Sequence, residues 1–239
     1  MSYYKIAGLN VFMECEGELL RTRAKAYECT EKPDKVDIVV SVSKEFVEKK
    51  HQQYPNMSIE DCEYMWTGML FYSELLKYNG FMLHASAVCV DDKAYFFSAP
   101  SGTGKSTHTG LWLKVFGERA RILNDDKPAI RMLNDKIYAF GTPWSGKTDL
   151  NLNECVELSG ICFLHRSETN HIKKIDNKDA IAKILDQTIR PLGMKDFDNL
   201  LNCVDVLLEN ISVYSMGCNI SEDAARVAYY GMNGILEVQ

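Results

Sequence analysis

The sequence predicts a mixed α/β (α+β layered) protein, and three observations lead to that class. Strand-like apolar runs and amphipathic helical segments intermix along the whole chain instead of forming separate blocks. Hydrophobic residues make up 46% of the 239 residues, which is enough for a substantial core. No internal repeat, low-complexity tract or linker rich in proline, glycine and serine interrupts the chain. The expected architecture is therefore a layered sheet with helices packed on it.

The composition limits the class of partner. The net charge is −6 and acidic and basic residues are mixed, whereas a nucleic-acid-binding protein usually concentrates basic residues on one face. No apolar run approaches the ~18 residues of a membrane-spanning helix, and the first residues lack the pattern of a signal peptide. The eight cysteines form no C-x-x-C pair, which favours reduced thiols over metal ligands or disulfides. We expect a cytoplasmic protein that binds neither nucleic acid nor a membrane.

Two parts are expected along the chain. Residues 1–80 are predicted to be an N-terminal strand-and-helix section that packs on a core formed by residues 81–239. Three strand-like runs are predicted in the first part, at residues 6–15, 19–26 and 36–42.

A helix is predicted after these runs. It starts after Ser58 with two acidic residues in its first turn, and it runs to Asn79-Gly80. Its stripe of apolar side chains is predicted to be core and not a cofactor site, and it consists of Met65, Met69, Tyr72 and Leu76.

The core begins with a predicted β-hairpin. The two strand-like runs at 81–90 and 94–98 are joined by the turn Asp91-Asp92-Lys93. A loop and a short helix that ends at Gly117 follow, and Asn134-Asp135 forms a second turn. Further strands are predicted at 120–123, 128–133, 136–141 and 211–216, a strand pair at 160–166 and 171–175, and helices at 178–189, 194–208 and 221–232.

Two segments compete as the phosphate-binding loop. Residues 141–148, GTPWSGKT, match the P-loop pattern G-x-x-x-x-G-K-[ST], whereas residues 99–106, APSGTGKS, have alanine at the first position. Only the second segment lies between a strand and a helix, the arrangement that directs backbone N–H groups and the positive end of a helix at phosphates. Gly102 and Gly104 would form its tightest curl. We therefore predict that residues 99–106 bind the nucleotide.

Roles follow for the side chains of this loop. Lys105 would reach the terminal phosphates of ATP, and the Ser106 hydroxyl would bind Mg²⁺. The residues predicted to contact the nucleotide are Ser101, Gly102, Thr103, Gly104, Lys105, Ser106 and Thr107.

The segment 141–148 has a different expected role. Pro143 and Trp144 stand where phosphates would have to approach the backbone, and the following DLNLNECVEL is a poor helix start. We predict that this loop faces the transferring phosphate or the acceptor. Trp144 would offer an apolar or stacking face, and Lys147 would supply a mobile cation as an arginine finger does. The alternative is a surface turn.

A pair of acids provides the second half of a phosphoryl-transfer site. Asp125 and Asp126 follow the strand at 120–123, about where a metal-binding carboxylate is needed after a P-loop. Asp125 is predicted as the base that accepts the acceptor's proton and Asp126 as the ligand of Mg²⁺, with the order open. The alternative is a solvated turn.

These residues carry a family resemblance. LHASAV, the hairpin, APSGTGKST and NDDKPAI together resemble the P-loop core of HPr kinase/phosphorylase and of ATP-dependent phosphoenolpyruvate carboxykinase, over about residues 81–139. Small HPr-kinase-like proteins, including those associated with ribosomally made peptides such as lasso peptides, are the most similar subgroup. The resemblance implies a hairpin strand that feeds the P-loop, a catalytic aspartate pair at Asp125 and Asp126, and a histidine, His84, near the transferred phosphate.

The chain also departs from that family. Thr107 stands where bifunctional HPr kinases have an acidic residue, and GTPWSGKT replaces their segment before the acceptor-binding region. HPr is therefore not the expected acceptor, and phosphorylase activity is not expected. Carboxykinases are about twice as long, and no match to their substrate-binding arginines or full manganese site is found.

The leading hypothesis is an ATP- and Mg²⁺-dependent kinase that phosphorylates a hydroxyl, serine by preference, of a peptide, a protein or a small molecule. The alternatives are a nucleotide-binding regulator without turnover and a small carboxykinase-like enzyme. The sequence leaves open the acceptor, the preferred nucleotide and the oligomeric state, a homo-oligomer included.

Overall fold

The elements of a computed structural model, which describes residues 2–235, establish a mixed α/β fold. The strands are β1 Ser2–Ile6, β2 Leu9–Met13, β3 Ile38–Val40, β4 Gly80–Met82, β5 Ala85–Val90, β6 Lys93–Ser98, β7 Ala120–Asn124, β8 Ala129–Leu133, β9 Lys136–Phe140, β10 Cys155–Arg166, β11 His171–Lys174 and β12 Val213–Cys218. The helices are α1 Glu18–Ala24, α2 Lys44–Gln53, α3 Ile59–Leu75, α4 Lys105–Phe116, α5 Asn177–Asp186, α6 Met194–Asn210 and α7 Glu222–Asn233.

The larger sheet places several strand ends at one edge. Its order is β4-β8-β9-β10-β6-β5-β7, with β12 paired to β10 and β11 paired to β12. Strand β10 runs parallel to β6 and to β12, and β5 is antiparallel to both β6 and β7. The carboxyl ends of β6, β7, β10 and β12 therefore meet at the same edge, beside the start of β5. That edge is where open α/β sheets bind ligands.

The central strands are buried on both faces because both faces carry helices. Every residue of β5 is buried, and its apolar side chains alternate between two clusters. Helices α5 and α6 complete the cluster on one face, and α4 and α7 complete the cluster on the other. Such doubly covered strands need apolar residues at successive positions, which is what the strand sequence ASAVCV supplies.

The N-terminal section forms its own three-stranded sheet, β1-β2-β3, with α1 and α3 packed beside it. Helix α3 begins with a capping box in which the Ser58 and Asp61 side chains each bond the other's backbone N–H. The apolar cluster of this section includes Phe140 and Trp144, which belong to the segment around β9. Trp144 is 1% exposed and stacks on Phe71 of α3, with ring centroids 4.9 Å apart. The N-terminal section and the larger sheet thus share one packed cluster.

Most predicted elements of the core are confirmed. The hairpin turn lies at Asp91-Asp92, since Val90 pairs with Lys93. The helix after the glycine loop ends at Phe116, directly before Gly117. The later strands, the second turn at Asn134-Asp135 and the three closing helices also lie where the pattern placed them, within a few residues. The run predicted at 81–90 is not one strand, since it forms the end of β4 and all of β5, which lie at separate positions in the sheet.

The prediction of a strand at 19–26 is wrong, since these residues form most of α1 and the turn after it. Leu20 and Ala24 are both fully buried, and their spacing of four residues puts them on one helix face. Helix α2 was not predicted, because its sequence KEFVEKKHQQ buries only Val47. Its one local signal is Ser43, whose side chain caps the helix.

Two further expectations need correction. The strand at 171–175 does not pair with 160–166, because β12 lies between them. In the stripe on α3, Tyr72 and Leu76 are buried, but Met65 is 44% exposed and Met69 is 42% exposed. These two methionines border an open surface and not the core.

The eight cysteines are free thiols. A helix that is both long enough and apolar enough to cross a membrane is absent from residues 2–235.

The buried stack of Trp144 on Phe71 yields a stability prediction. Replacing Trp144 with Ala leaves a large cavity where the N-terminal section meets the sheet, so we expect the free energy of unfolding to fall by about 3–5 kcal/mol. Urea denaturation followed by circular dichroism measures this change. Leu192→Ala is the control, since Leu192 is fully exposed, and its effect should stay within about 0.5 kcal/mol. Equal stability of the two variants would show that Trp144 does not hold this junction.

Candidate active site

The loop between β6 and α4 has the geometry of an open anion cradle. Gly102 has φ +77° and Gly104 has φ +119°, backbone conformations that favour glycine. A Cβ added at Gly102 would meet no atom within 4 Å, so the space directly beside Gly102 is open. No side chain caps the start of α4. Its first N–H groups therefore remain available to an anion such as phosphate.

Lys105 lies at the closed end of this loop. Its Nζ donates a hydrogen bond of 2.9 Å to the carbonyl oxygen of Ala99, and the residue is buried. Burial lowers the pKa of Lys105, although the charges of Asp126 and Asp125 act in the opposite direction. Ser106, the next residue, is exposed at the first turn of α4. A bound anion would give this ammonium a charged hydrogen-bond partner in addition to the neutral carbonyl of Ala99.

Asp125 is buried and connected to α4 through hydroxyl groups. Its Oδ1 accepts a hydrogen bond of 2.5 Å from Ser86 Oγ, and the same Ser86 hydroxyl lies 2.7 Å from Thr109 Oγ1 of α4. Its Oδ2 accepts a hydrogen bond of 2.8 Å from Thr148 Oγ1. These donors are neutral, and they hold the carboxylate beside the helix that follows the glycine loop.

Asp126 faces a histidine and a lysine instead. His84 Nε2 lies 3.3 Å from its Oδ1, and the Lys127 ammonium pairs with its Oδ2. Burial would raise the pKa of Asp126, but the hydrogen bond from His84 and the charge of Lys127 outweigh it and lower the value to about 2. The other ring nitrogen of His84, Nδ1, lies 3.1 Å from Gln187 Oε1, which fixes the orientation of the imidazole. Asp126 therefore stays ionised and keeps 20% of its side chain exposed.

The turn that carries both acids is shaped by Asn124, which the sequence analysis did not single out. Asn124 is fully buried, and its Oδ1 accepts hydrogen bonds from the backbone N–H groups of Asp126 at 3.0 Å and Lys127 at 2.8 Å. Its Nδ2 donates to the carbonyl oxygen of Thr142 at 2.9 Å. Tyr72 OH lies 2.8 Å from Thr142 Oγ1. An asparagine directly before the acids was the only local sequence signal for this network.

The segment 141–148 packs around this turn. A Cβ added at Gly141 would lie 1.8 Å from the carbonyl oxygen of Leu152, and one added at Gly146 would lie 2.8 Å from the Asp126 Cβ. Both glycines are therefore required by contact with the protein itself. The segment is not an open cradle, and it holds the aspartate turn from outside.

The two predicted functional side chains of this segment have different positions. Trp144 is stacked in the shared core and is 1% exposed, so it presents only a small surface to the cavity that it lines together with Lys147. Lys147 is exposed and borders a cavity that Lys127 also lines. The structure thus places the tryptophan in the core behind this cavity and the lysine at its exposed border.

A second cavity lies on the other side of the glycine loop. It has a volume of about 500 Å³ and lies between α4 and the carboxyl ends of β10 and β12. Arg166 Nη2 donates to the carbonyl oxygen of Gly102 at 3.0 Å and so joins its two walls. His108 lines the cavity, and burial lowers its pKa to about 4. Its Nε2 accepts from Trp112 Nε1 at 3.2 Å, so the neutral ring carries its proton on Nδ1.

The donor set for a metal is small. Within residues 2–235 no group of three or more histidines, cysteines, aspartates and glutamates could hold a metal ion. Protein-bound Mg²⁺ is commonly held by about one or two carboxylates together with substrate phosphates. The Ser106 hydroxyl and one of the two aspartates fit that requirement.

Comparison with known proteins gives little guidance. No protein-family model matches this sequence, and no curated protein matches it. Among solved structures, the chain is similar to the HPr(Ser) kinase/phosphatase from Coxiella burnetii, with 14% sequence identity and a TM-score of 0.35, over 64% of this chain and 99% of that chain. This is a distant likeness, too weak at that TM-score to support any inference, and the function has to be argued from the geometry of the site.

Proposed function

We propose that this chain is an ATP-dependent kinase that transfers the γ-phosphoryl group to a hydroxyl, serine by preference. The observation that carries the proposal is the meeting of an open glycine loop with two ionisable acids at one sheet edge. The loop follows β6 and the acids follow β7. These two strands end at the same sheet edge, and only the start of β5 lies between them. The resemblance of residues 81–139 to HPr-kinase-like proteins agrees with this activity.

The nucleotide would occupy the loop and the cavity beside α4. Residues 101–107 would hold the phosphates through backbone N–H groups and Lys105. The cavity of about 500 Å³ next to Gly102 is large enough for a nucleoside. Bound Mg²⁺ would neutralise charge that develops on the phosphoryl oxygens.

The environments of the two acids favour the reverse of the roles predicted from the sequence, in which Asp125 was the base and Asp126 the metal ligand. Asp125 is held beside α4 by Ser86 and Thr148, so we assign it, with Ser106, to the metal. Asp126 is the more exposed and faces His84, so we assign it to the acceptor hydroxyl. Its low pKa of about 2 suits a group that orients the hydroxyl, since phosphoryl transfer with a loose transition state requires little early proton abstraction.

The compartment is part of the same proposal. Free thiols at all eight cysteines fit a reducing environment. We therefore propose a cytoplasmic kinase.

The choice of loop is tested by two lysine variants. Lys105→Ala should weaken ATP binding about 10- to 100-fold, because it removes a charged hydrogen-bond donor from the phosphates. Lys147→Ala should leave ATP affinity within about 2-fold, since Lys147 lies outside the glycine loop, but it should slow transfer. Titration with a fluorescent ATP analogue in the presence of Mg²⁺ measures affinity, and labelled ATP measures turnover. Loss of ATP binding in Lys147→Ala together with normal binding in Lys105→Ala would contradict the assignment.

The roles of the acids predict a second pattern. Asp126→Asn should lower single-turnover transfer from labelled ATP to a serine-peptide library by about 10²–10⁴-fold while ATP affinity is retained. Asp125→Asn should raise the Mg²⁺ concentration that gives half-maximal transfer, because it removes a proposed metal ligand.

Asp92→Asn is the matched control, since Asp92 is exposed in the distant hairpin turn. Full activity in both site variants would sink the kinase mechanism. Binding of ATP by the unaltered chain without any transfer would instead indicate a nucleotide-dependent regulator.

A further inference from the structure

A cavity of about 440 Å³ opens next to the candidate site, on the side away from α4. Helices α1 and α3 form one wall, which includes Tyr64, Met65 and Met69. Lys127, Gly146 and Lys147 line the other wall. The cavity therefore lies between the N-terminal section and the larger sheet, and the proposed nucleotide loop does not contribute to it.

Asp126 lies directly behind the lining of this cavity. Lys127, which lines the cavity, pairs directly with the Asp126 carboxylate. Gly146, also in the lining, lies so close that an added Cβ would be 2.8 Å from the Asp126 Cβ. A group bound here would lie beside the acid that we assign to the acceptor.

Most charged side chains around the cavity already have a charged or hydrogen-bonded partner. Arg23 pairs with Asp149 at 3.2 Å, and its guanidinium lies 4.6 Å from the centre of the Tyr64 ring. Asp61, the acidic residue in the lining, is hydrogen-bonded within the capping box of α3. Lys127 is paired with Asp126. Lys147 is exposed and forms no ion pair with any residue in the range 2–235, so it is the cation available to an acidic ligand.

The apolar surface continues beyond this cavity. A second groove of about 490 Å³ lies on the other side of Met69 and is lined by Phe46 and Trp66. Met69 belongs to both grooves and is 42% exposed, and Met65 next to it is 44% exposed. Methionine side chains adapt to varied partners and are common at peptide-binding surfaces. The two grooves meet at Met69 and form a track along α3.

We propose that this track binds an extended peptide segment that carries the serine or threonine to be phosphorylated. This inference rests on the kinase function proposed above. An acidic residue near the hydroxyl would meet Lys147, and apolar residues farther along would cover Met65, Met69 and the groove of Phe46 and Trp66. Transfer forms the bond between the acceptor oxygen and the γ-phosphorus and breaks the bond to the β–γ bridging oxygen. ADP leaves with that electron pair, and the hydroxyl proton passes to the Asp126 carboxylate.

The test uses the full chain and a library of decapeptides with a central serine and variable flanks. Preferred acceptors should carry Asp or Glu close to the serine and large apolar residues farther away on one side. Lys147→Glu should reverse the charge preference, so that Lys or Arg is selected close to the serine. A charge preference that stays the same in Lys147→Glu would overturn the placement of the acidic residue.

Methionine variants test the apolar part of the track. Met69→Ser should raise the KM for the best library peptide about 5- to 10-fold with little change in kcat, since it removes apolar contact area. Met65→Ser serves as the second variant. The matched control is Val206→Ser on α6, a residue 41% exposed on a distant helix, which should leave both constants unchanged.

The outcomes also separate this inference from the kinase function. An unchanged KM in both methionine variants would overturn the track. Free serine phosphorylated as efficiently as the best decapeptide would also overturn it, and would indicate a small-molecule kinase. Failure of the unaltered chain to bind a fluorescent ATP analogue would refute the kinase function itself. A dimer that forms through this face, seen as concentration-dependent mass in light scattering and blocked by Met69→Ser, would show that a second copy covers the track instead.

Discussion

The candidate site depends on one buried side chain, the amide of Asn124. A fully buried amide must satisfy both its donor and its acceptor, because each unmade hydrogen bond in the interior costs about 1–3 kcal/mol. Asn124 does so by accepting from two successive backbone N–H groups and by donating to Thr142. The first set of bonds curls the chain at Asp125 and Asp126, and the second ties that curl to the segment that follows β9. This curl places the two neighbouring carboxylates so that each meets a different set of partners.

That separation gives two chemically identical side chains different properties. Asp125 points to hydroxyl groups, which stabilise its charge without neutralising it. Asp126 points to a histidine and a lysine, and its pKa falls to about 2. A metal site needs a carboxylate whose charge is not already paired with a cation, whereas the acceptor side benefits from nearby cations that also attract the transferring phosphoryl group. The environments therefore distinguish the roles better than the order in the chain does.

Features encoded by local patterns could be predicted from the sequence. The hairpin, the glycine loop and α4 each follow from adjacent residues, and so does the placement of the acids after β7. Features that depend on distant partners could not be predicted. Met65 and Met69 have the spacing of a core stripe, and their exposure follows only from where α1 and the segment 144–147 lie. The hydrogen bond of Asn124 to Thr142 likewise joins the end of β7 to the segment after β9. The run at 19–26 is helical, and its buried residues Leu20 and Ala24 lie on one helix face.

The two P-loop-like segments show why a residue pattern alone does not identify a phosphate site. In both segments, glycine stands where a larger residue is disfavoured. The two differ in whether the space left by the missing side chain is open or filled. Beyond Gly102 there is no protein atom within 4 Å of an added Cβ, so the freed space faces outward and is available to a ligand. At Gly141 and Gly146 the freed space is already filled, by a carbonyl oxygen 1.8 Å and by the Asp126 Cβ 2.8 Å from an added Cβ. The first segment leaves volume open to a ligand, and the second packs against the turn that carries Asp125 and Asp126. A glycine pattern identifies a ligand site only where the volume left by the missing side chain is open.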